Sequence, residues 1–473
     1  MSNLLNVLTI AQSGLVATST AIAVTGENIT GANTPGYSRR IAMLENRSLN
    51  ASTAGGVTVS GVARVFDQFS ERALLAENGN WGAADSRSRA LERAEGVLQP
   101  GDGFGLDDKF GEFFQSWEAL AQKPDDLALR RDIVAKSQGL AQAFNTMSSS
   151  LESLRTNLFS DAQNVVDEVN LRLEKISVLN NKAIATSQST SGKAEILDER
   201  DRLIREVSER ISVTVVPQAS GAVALLSSGV ALLDAGVVRT LSVSLASYDP
   251  ASLTDPRTVL RFDATLPGGT PRDITKNLSG GRLAGIREAR DVDMIDLAEN
   301  LDNLAFDFAL EANTRHAAGV DLDGNAPPDL FVGGLGPVPA PPGTAIGLLF
   351  NSVFETDRRL LAAASALSPP PGGNETALSL AAIQQFALGG TGTPAERAGQ
   401  LAAFTGGKVN AAKGELRLRA TTVSQAHQRR EEAAGVSLDE EMINLTKYQR
   451  AFQASTRVLQ VADQLLQELI EKV

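Results

Sequence analysis

The chain has 473 residues, a net charge of −12 and no cysteine. The acidic balance argues against nucleic acid and anionic membrane surfaces, which call for basic stripes. The missing cysteine excludes disulfides, thiolate zinc sites and cysteine nucleophiles, while 42% hydrophobic residues allow packed cores over roughly three domains.

The first segment reads as one helix. Leu4, Leu8, Ala11, Leu15, Thr18, Ile22, Thr25 and Ile29 step by four and three, a heptad spacing. Thr34-Pro35-Gly36-Tyr37 stops it, with proline and glycine placed as in a type II turn. Up to Ser38 the only charge is Glu27. A helix with a solvated face carries Lys and Glu there, so this one suits enclosure by other helices. No basic n-region precedes it, the first basic residue being Arg39, so no conventional secretory signal is expected. Ser, Thr, Asn and Gly interrupt every apolar run, and no bilayer span is expected.

Leu140, Phe144, Met147, Leu151, Leu154 and Leu158 form a long seam that continues through Val165, Val169 and Ile176. The segment from Glu195 to Ile211 buries Ile196, Leu203 and Val207. Its outer face pairs Asp198 with Arg202, Asp201 with Arg205 and Glu206 with Arg210 at i,i+4 spacing. The period then changes to two at Ile211, Val213 and Val215. Residues 221–245 and 258–262 read as strands. Leu297, Leu301, Leu304 and Phe308 mark a further helix ending near Gly319, and 320–345 read as turns and short strands. Pro337, Pro339, Pro341 and Pro342, then Pro369 to Pro371, read as stiff loops.

The last helix starts at Ser437, which has capping-box spacing with Glu440. Its seam runs through Tyr448, Phe452, Ser455, Leu459, Ala462, Leu466, Leu469 and Val473. Two heptad helices at the ends of the sequence can pair, with the rest of the chain one excursion between them. The expected fold class is α+β, mainly α: terminal helices paired as a coiled coil, a long-helix bundle and an inserted smaller β-rich region. The expected domains are a terminal coil of 1–36 and 437–473, a helical domain of 37–212, 283–319 and 372–436, and a β-rich outer region of 213–282 and 320–371. The candidate assembly residues are Leu4, Leu8, Ala11, Leu15, Ile22, Ile29, Met442, Leu445, Tyr448, Phe452, Leu459, Leu466, Leu469 and Val473.

Motifs for chemistry fail on inspection. Val409 follows Gly407-Lys408 where a phosphate loop needs Ser or Thr. Gly101, Gly103 and Gly105 follow Pro100 with no clear strand. Asp321, Asp323, Gly324 and Asn325 resemble a calcium loop, but Ala326 replaces its glycine and Val332 its glutamate. A turn held by Asp side chains is expected there instead. His316 is expected near a helix C-terminus, where the dipole tolerates it, and His427 on a solvated helix face. No catalytic residue, metal ligand or cofactor site is expected.

The ends carry a resemblance. Ala32-Asn33-Thr34-Pro35-Gly36-Tyr37-Ser38 resembles the signature after the first helix of flagellar rod, hook and hook-associated proteins. Leu438-Asp439-Glu440-Glu441-Met442-Ile443-Asn444-Leu445 and Tyr448 to Ala454 are similar to their C-terminal helix. In the middle, Ile196 to Ile204, Gly280 to Gly285 and Asn313 to Leu322 are similar to segments of the hook-associated protein 1 family, as is Lys447-Tyr448-Gln449 in the tail. The resemblance is weakest over 213–275 and 325–410. Relative to family members with an extra outer domain the chain is short, so no full third β domain is expected.

The resemblance implies a structural subunit of the bacterial flagellum, outside the cell, between hook and filament. It implies an inner coil of the two termini, with a helical and then a β-rich domain outside it. Implied partners are further copies in a ring-like layer, the hook protein, the next hook-associated protein, an export chaperone and the flagellar type III export apparatus. It implies neither membrane insertion nor enzymatic activity. Three other readings compete. Another axial subunit such as a hook protein is opposed by the 197–204 segment and the long 140–176 helix. A secreted enzyme or calcium module would show metal at Asp321 and Asp323. A cytosolic coiled-coil adaptor would carry more charge than residues 1–38 do.

Overall fold

A computed structural model gives the fold. It describes residues 2–47, 55–99, 101, 105–186, 191–234, 236–248, 257–336, 340–368 and 370–471. Pro100, Gly103, Pro337, Pro339, Pro369 and Val473 lie outside the described residues.

Helix α1 (Ser2–Gly31) ends in the expected turn. Tyr37 N–H donates to Thr34 C=O at 3.1 Å, and Gly36 takes φ 85° at the turn's third position, where an L side chain is strained. A hairpin follows, β1 (Arg40–Arg47) antiparallel to β2 (Gly56–Arg64), with a bulge between Met43 and Leu44. Residues 37–64 had been expected within the helical domain; instead the hairpin lies along α1. An isolated hairpin is marginal in water, so it needs that support.

Three long helices build the centre. Asp67 caps α2 (Gln68–Leu98), accepting from the backbone N–H of Phe69 and Ser70. Next come α3 (Leu106–Gln122) and the 59-residue α4 (Leu127–Ala185), whose Asp126 cap accepts from Ala128 N–H at 2.7 Å. The expected 140–176 seam is buried along α4. Helix α5 (Ser191–Arg210) buries Leu203, Ile204 and Val207, whereas Ile196 is only half-buried.

The strands form two small sheets against α4. One is β3 (Thr214–Pro217), β4 (Val223–Ser227), β5 (Val230–Asp234) and β6 (Val237–Val238); the other is β7 (Thr240–Ser247), β8 (Thr258–Thr265) and β9 (Pro271–Asp273), antiparallel throughout. Asn170 and Asn180 of α4 act as side-chain strand partners. Asn170 bonds both the N–H and C=O of Leu241, and Asn180 those of Val223.

Helix α6 (Arg282–Glu288) continues through a π turn at Ala289–Asp293 into α7 (Met294–Ala317). Gly285 lets α6 touch α2, since a Cβ there would sit 2.1 Å from Ala83 O. Residues 319–381 hold two-residue strands β10 (Gly319–Val320) and β11 (Phe331–Val332), then α8 (Thr344–Gly347), β12 (Leu349–Phe350), α9 (Val353–Thr356), β13 (Ala364–Ser365) and α10 (Glu375–Ala381). This stretch packs on the helices rather than beside the two sheets. Phe331 joins Phe113 of α3 and Phe308 of α7 in an aromatic cluster, with Phe308 centroids 5.4 and 5.3 Å from the other two. Asn145 of α4 donates to the carbonyls of Ala345 and Leu348. The segment is apolar where it meets α3, α4 and α7, which is why it folds inward.

Helix α11 (Pro394–Ala434) opens with a Thr393/Glu396 capping box and runs along α2. Helix α12 (Leu438–Glu471) returns along α1. The fold is α+β and mainly α. Contrary to expectation, residues 4–31 of α1 are long and apolar enough to cross a bilayer, by length and composition alone. The interrupting residues are small and nearly neutral in hydropathy, and Glu27 is the sole charge. In the folded chain this helix lies against α12 and the hairpin, with Ala17, Ala21 and Val24 buried.

Candidate assembly interface

The terminal helices pair antiparallel. Asn28 of α1 meets Glu441 of α12, and a Cβ on Gly14 would lie 3.9 Å from Ser455 Cβ. Two heptads separate Asn28 from Gly14 and Glu441 from Ser455, so the pairing holds one register throughout.

Burial along the coil is shallow. Ala11 is buried, whereas Leu4, Leu8, Leu15, Ile22 and Ile29 are half-buried. On α12, Leu445, Tyr448, Leu459 and Leu466 are half-buried, and Met442 and Phe452 are exposed. Leu469 lies in the helix, but its side chain is outside the described residues, as is all of Val473. The deepest positions of α1 are Ala11, Ala17, Ala21, Val24, Thr25 and Asn28, because α12 covers one flank and the hairpin another. Ser13 Oγ accepts Val57 N–H at 3.2 Å on that second flank.

In the family turn motif, Asn33, Thr34 and Pro35 are exposed and Gly36 and Tyr37 half-buried. The motif is held from outside. Arg430 of α11, almost fully buried, reaches the carbonyls of Gly36 and Tyr37 at 3.2 and 3.3 Å. Tyr37 O–H donates to Asn28 Oδ1 at 3.0 Å. Burial pushes the Tyr37 phenol up to about 12, with Arg40 opposing.

A charged joint connects coil, hairpin and helical domain. Arg39 binds Glu441 at 2.8 Å and Glu440 at 2.9 Å. Arg40 binds Glu27 at 2.9 Å and lies 3.7 Å from Asp198. Arg64 binds Asp198 at 3.0 Å and Asp201 at 2.7 Å. Burial disfavours the Arg64 charge, but the Asp201 and Asp198 carboxylates outweigh it and hold its pKa above the ordinary value. Here the solvated-face expectation for α5 fails. Asp198 and Asp201 are buried and turn to β2, and Arg205 turns to Glu71 at 2.7 Å. Arg202 keeps an i,i+4 contact, with Glu206, and Arg210 goes to Glu168 of α4. The hairpin brings cations to carboxylates that local spacing had assigned to their helix neighbours.

The sequence reading missed Asn28, Arg39, Arg40, Arg64 and Glu441 as interface residues. The usable signal was period-two alternation at Ile41 and Met43 and at Val57 and Val59, flanked by arginines.

The other candidate positions are structural. Asp321 Oδ1 accepts from Asp323 and Asn325 N–H, both at 2.8 Å, a turn held by its Asp side chain. Asp323 pairs with Arg359. His316 stands in the last turn of α7 as expected, but it is fully buried there, and burial drives its pKa down to about 3. His427 is exposed at the surface of α11; desolvation first, then Arg205 and Arg430, depresses its pKa. Among the described residues no group of three or more His, Asp or Glu is arranged to hold a metal.

The comparisons agree with this architecture. The family described as flagellar hook-associated protein FlgK helical domain matches residues 91–331, just over half of the chain. The family described as flagellar basal body rod FlgEFG protein C-terminal matches residues 427–471. Flagellar hook-associated protein 1 of Bacillus subtilis is 28% identical over 494 aligned residues, covering 97% of this chain and 96% of its own. Its Escherichia coli counterpart is 29% identical over 70% of this chain and 60% of its own, and that of Salmonella typhimurium 28% over 70% and 59%. The chain thus spans about three fifths of the length of those two relatives. The solved flagellar hook junction protein FlgK from Burkholderia pseudomallei shares the fold, with TM-score 0.65 at 14% identity, over 76% of this chain and 99% of that one. With a helical-domain match over half its length and a relative aligned almost end to end, this chain belongs to the flagellar hook-associated protein 1 family.

Proposed function

We propose that the terminal coil is the surface through which this chain joins its neighbours in the flagellar axis. The chain is a structural subunit of the bacterial flagellum at the junction of hook and filament. The observation that carries the coil reading is its outward apolar side chains. Val16 of α1 is 58% exposed, and Met442 and Ile443 of α12 are 55% and 69% exposed. Apolar surface of this density is stabilised when neighbouring helices cover it. The candidate seam residues from Leu4 to Ile29 and from Met442 to Leu466 fall on these two helices.

In this reading residues 1–36 and 437–473 form an inner layer. The helical domain and the two small sheets stand outside it. The partners are further copies of this chain, the hook protein and the next hook-associated protein. An export chaperone and the type III apparatus would handle the chain before assembly, and the assembled protein lies outside the cell. It carries out no catalysis. The match of the hook-associated helical domain to residues 91–331 favours this over a hook protein. Electron microscopy of purified hook–filament complexes with this protein labelled tests it. Label confined to the junction is expected; label along the hook would support the hook-protein reading instead.

A further inference from the structure

Asn28 is 1% exposed, on a helix whose other buried residues, among those described, are Ala, Val and Thr. Its side-chain amide has two donor hydrogens and one oxygen with two lone pairs. All four capacities are used. Nδ2 donates to Arg40 C=O at 2.9 Å and to Glu441 Oε2 at 3.1 Å. Oδ1 accepts Arg40 N–H at 2.9 Å and Tyr37 O–H at 3.0 Å. Only one orientation of the amide satisfies this set. Glu441 is 2% exposed, and both its carboxylate oxygens are taken, one by Asn28 and the other by Arg39 at 2.8 Å.

The apolar seam around this pair chooses a register poorly. Three of its eight α1 positions are Ala11, Thr18 and Thr25. Any heptad seam is nearly self-similar after a slip of seven residues, about 10 Å along the axis. Slipped one way, Glu441 faces Ala21; slipped the other way, Asn28 faces Tyr448. Either slip separates two buried polar groups from partners that saturate them, and an unpaired buried carboxylate is costly.

We propose that Asn28 and Glu441 form the register pin of the terminal coil, a specificity-determining pair that selects one antiparallel pairing of α1 with α12. The pair sits at the hairpin end, where the arginine joint fixes the coil to the helical domain. A coil in the wrong register would present its outer apolar side chains displaced by a heptad to every neighbour. This rests on the assembly reading only for what the coil does.

The chain has no cysteine, so engineered pairs report without interference. A Gly14→Cys, Ser455→Cys variant of the full chain reports the native register, since 3.9 Å between Cβ positions suits a disulfide. Gly14→Cys with Tyr448→Cys, or with Ala462→Cys, reports the two slipped registers. The readout is the ratio of intrachain cross-links under mild oxidation, so a coil formed part of the time reports equally well. With Asn28 and Glu441 intact, the 14–455 link should exceed each slipped link by about tenfold or more, the scale of one hydrogen bond to a charged group. Asn28→Ala, Asn28→Leu and Glu441→Ala should each bring the links to within about threefold. An unchanged preference overturns the proposal. So does an equal fall in all three links, which would mean that the pair holds the coil together without choosing its register. The cross-links need no flagellum, so failure of hook–filament incorporation with a normal ratio would count against the assembly reading alone.

Discussion

His316 accepts the backbone N–H of Ala362 through Nε2 at 2.9 Å, while its Nδ1 faces Pro328 O at 3.0 Å. The ring must therefore be neutral, with its proton on Nδ1. It ties the end of α7 to two loop segments of the inward-folded 319–381 stretch, at Pro328 and Ala362, between Trp117 and Phe354.

That arrangement predicts an acid sensitivity. Burial lowers the folded-state pKa to about 3 from the ordinary imidazole value of 6.5. Between those values the unfolded chain binds the proton and the folded chain does not. Stability from this group is complete above pH 6.5 and is lost progressively as pH falls toward 3, by about 1.4 kcal/mol per unit. His316→Gln, which keeps a donor and an acceptor, should flatten that part of the curve. Urea unfolding of both proteins from pH 7 to pH 4 measures it; parallel curves would contradict the account.

Arg64 bridges two buried carboxylates, Asp198 and Asp201, the second of which also has Arg200 at 3.5 Å. Arg64→Met should destabilise the protein by about 2–3 kcal/mol, below the full cost of breaking a buried pair because Arg40 stays close to Asp198. A shift in the urea midpoint with unchanged slope is the expected form. A loss under about 0.5 kcal/mol would place this pair with ordinary surface ion pairs.

Chelation should leave the melting temperature unchanged. Asp321 spends Oδ1 on backbone N–H groups and Asp323 is paired with Arg359. A fall of several degrees, roughly 1 kcal/mol or more for a domain of this size, would reveal a metal site in this turn.

What the sequence disclosed and what it hid divide by distance along the chain. The turn at Thr34–Tyr37, the seam of α4 and the start of α12 depend on residues within a few turns of each other, so spacing was enough. The partner of Asp198 lies 134 residues away on β2, and helix spacing alone pointed to Arg202. His316 read only as a residue tolerated at a helix end because nothing local announced that residues 319–381 fold over it. Asn28 was lost among small uncharged neighbours; its function depends on Glu441, 413 residues further on.

The free monomer should lose its ends first to protease. The coil is a single pair of helices with half-buried seams and exposed Met442 and Phe452, and closing it requires docking two distant ends of the chain. Early cleavage is expected within about residues 1–40 and 430–473, before any cut in α4. Ends as resistant as α4 would show that the coil is stable without neighbours.

The most direct measurement removes one half of the coil. Deleting residues 438–473 leaves the aromatic cluster and the α2–α11 packing intact, so the truncated protein should remain soluble and folded by circular dichroism. It should fail to incorporate at hook ends when supplied to hooks in place of the full chain. Normal incorporation of the folded, truncated protein would contradict assembly through the terminal helices.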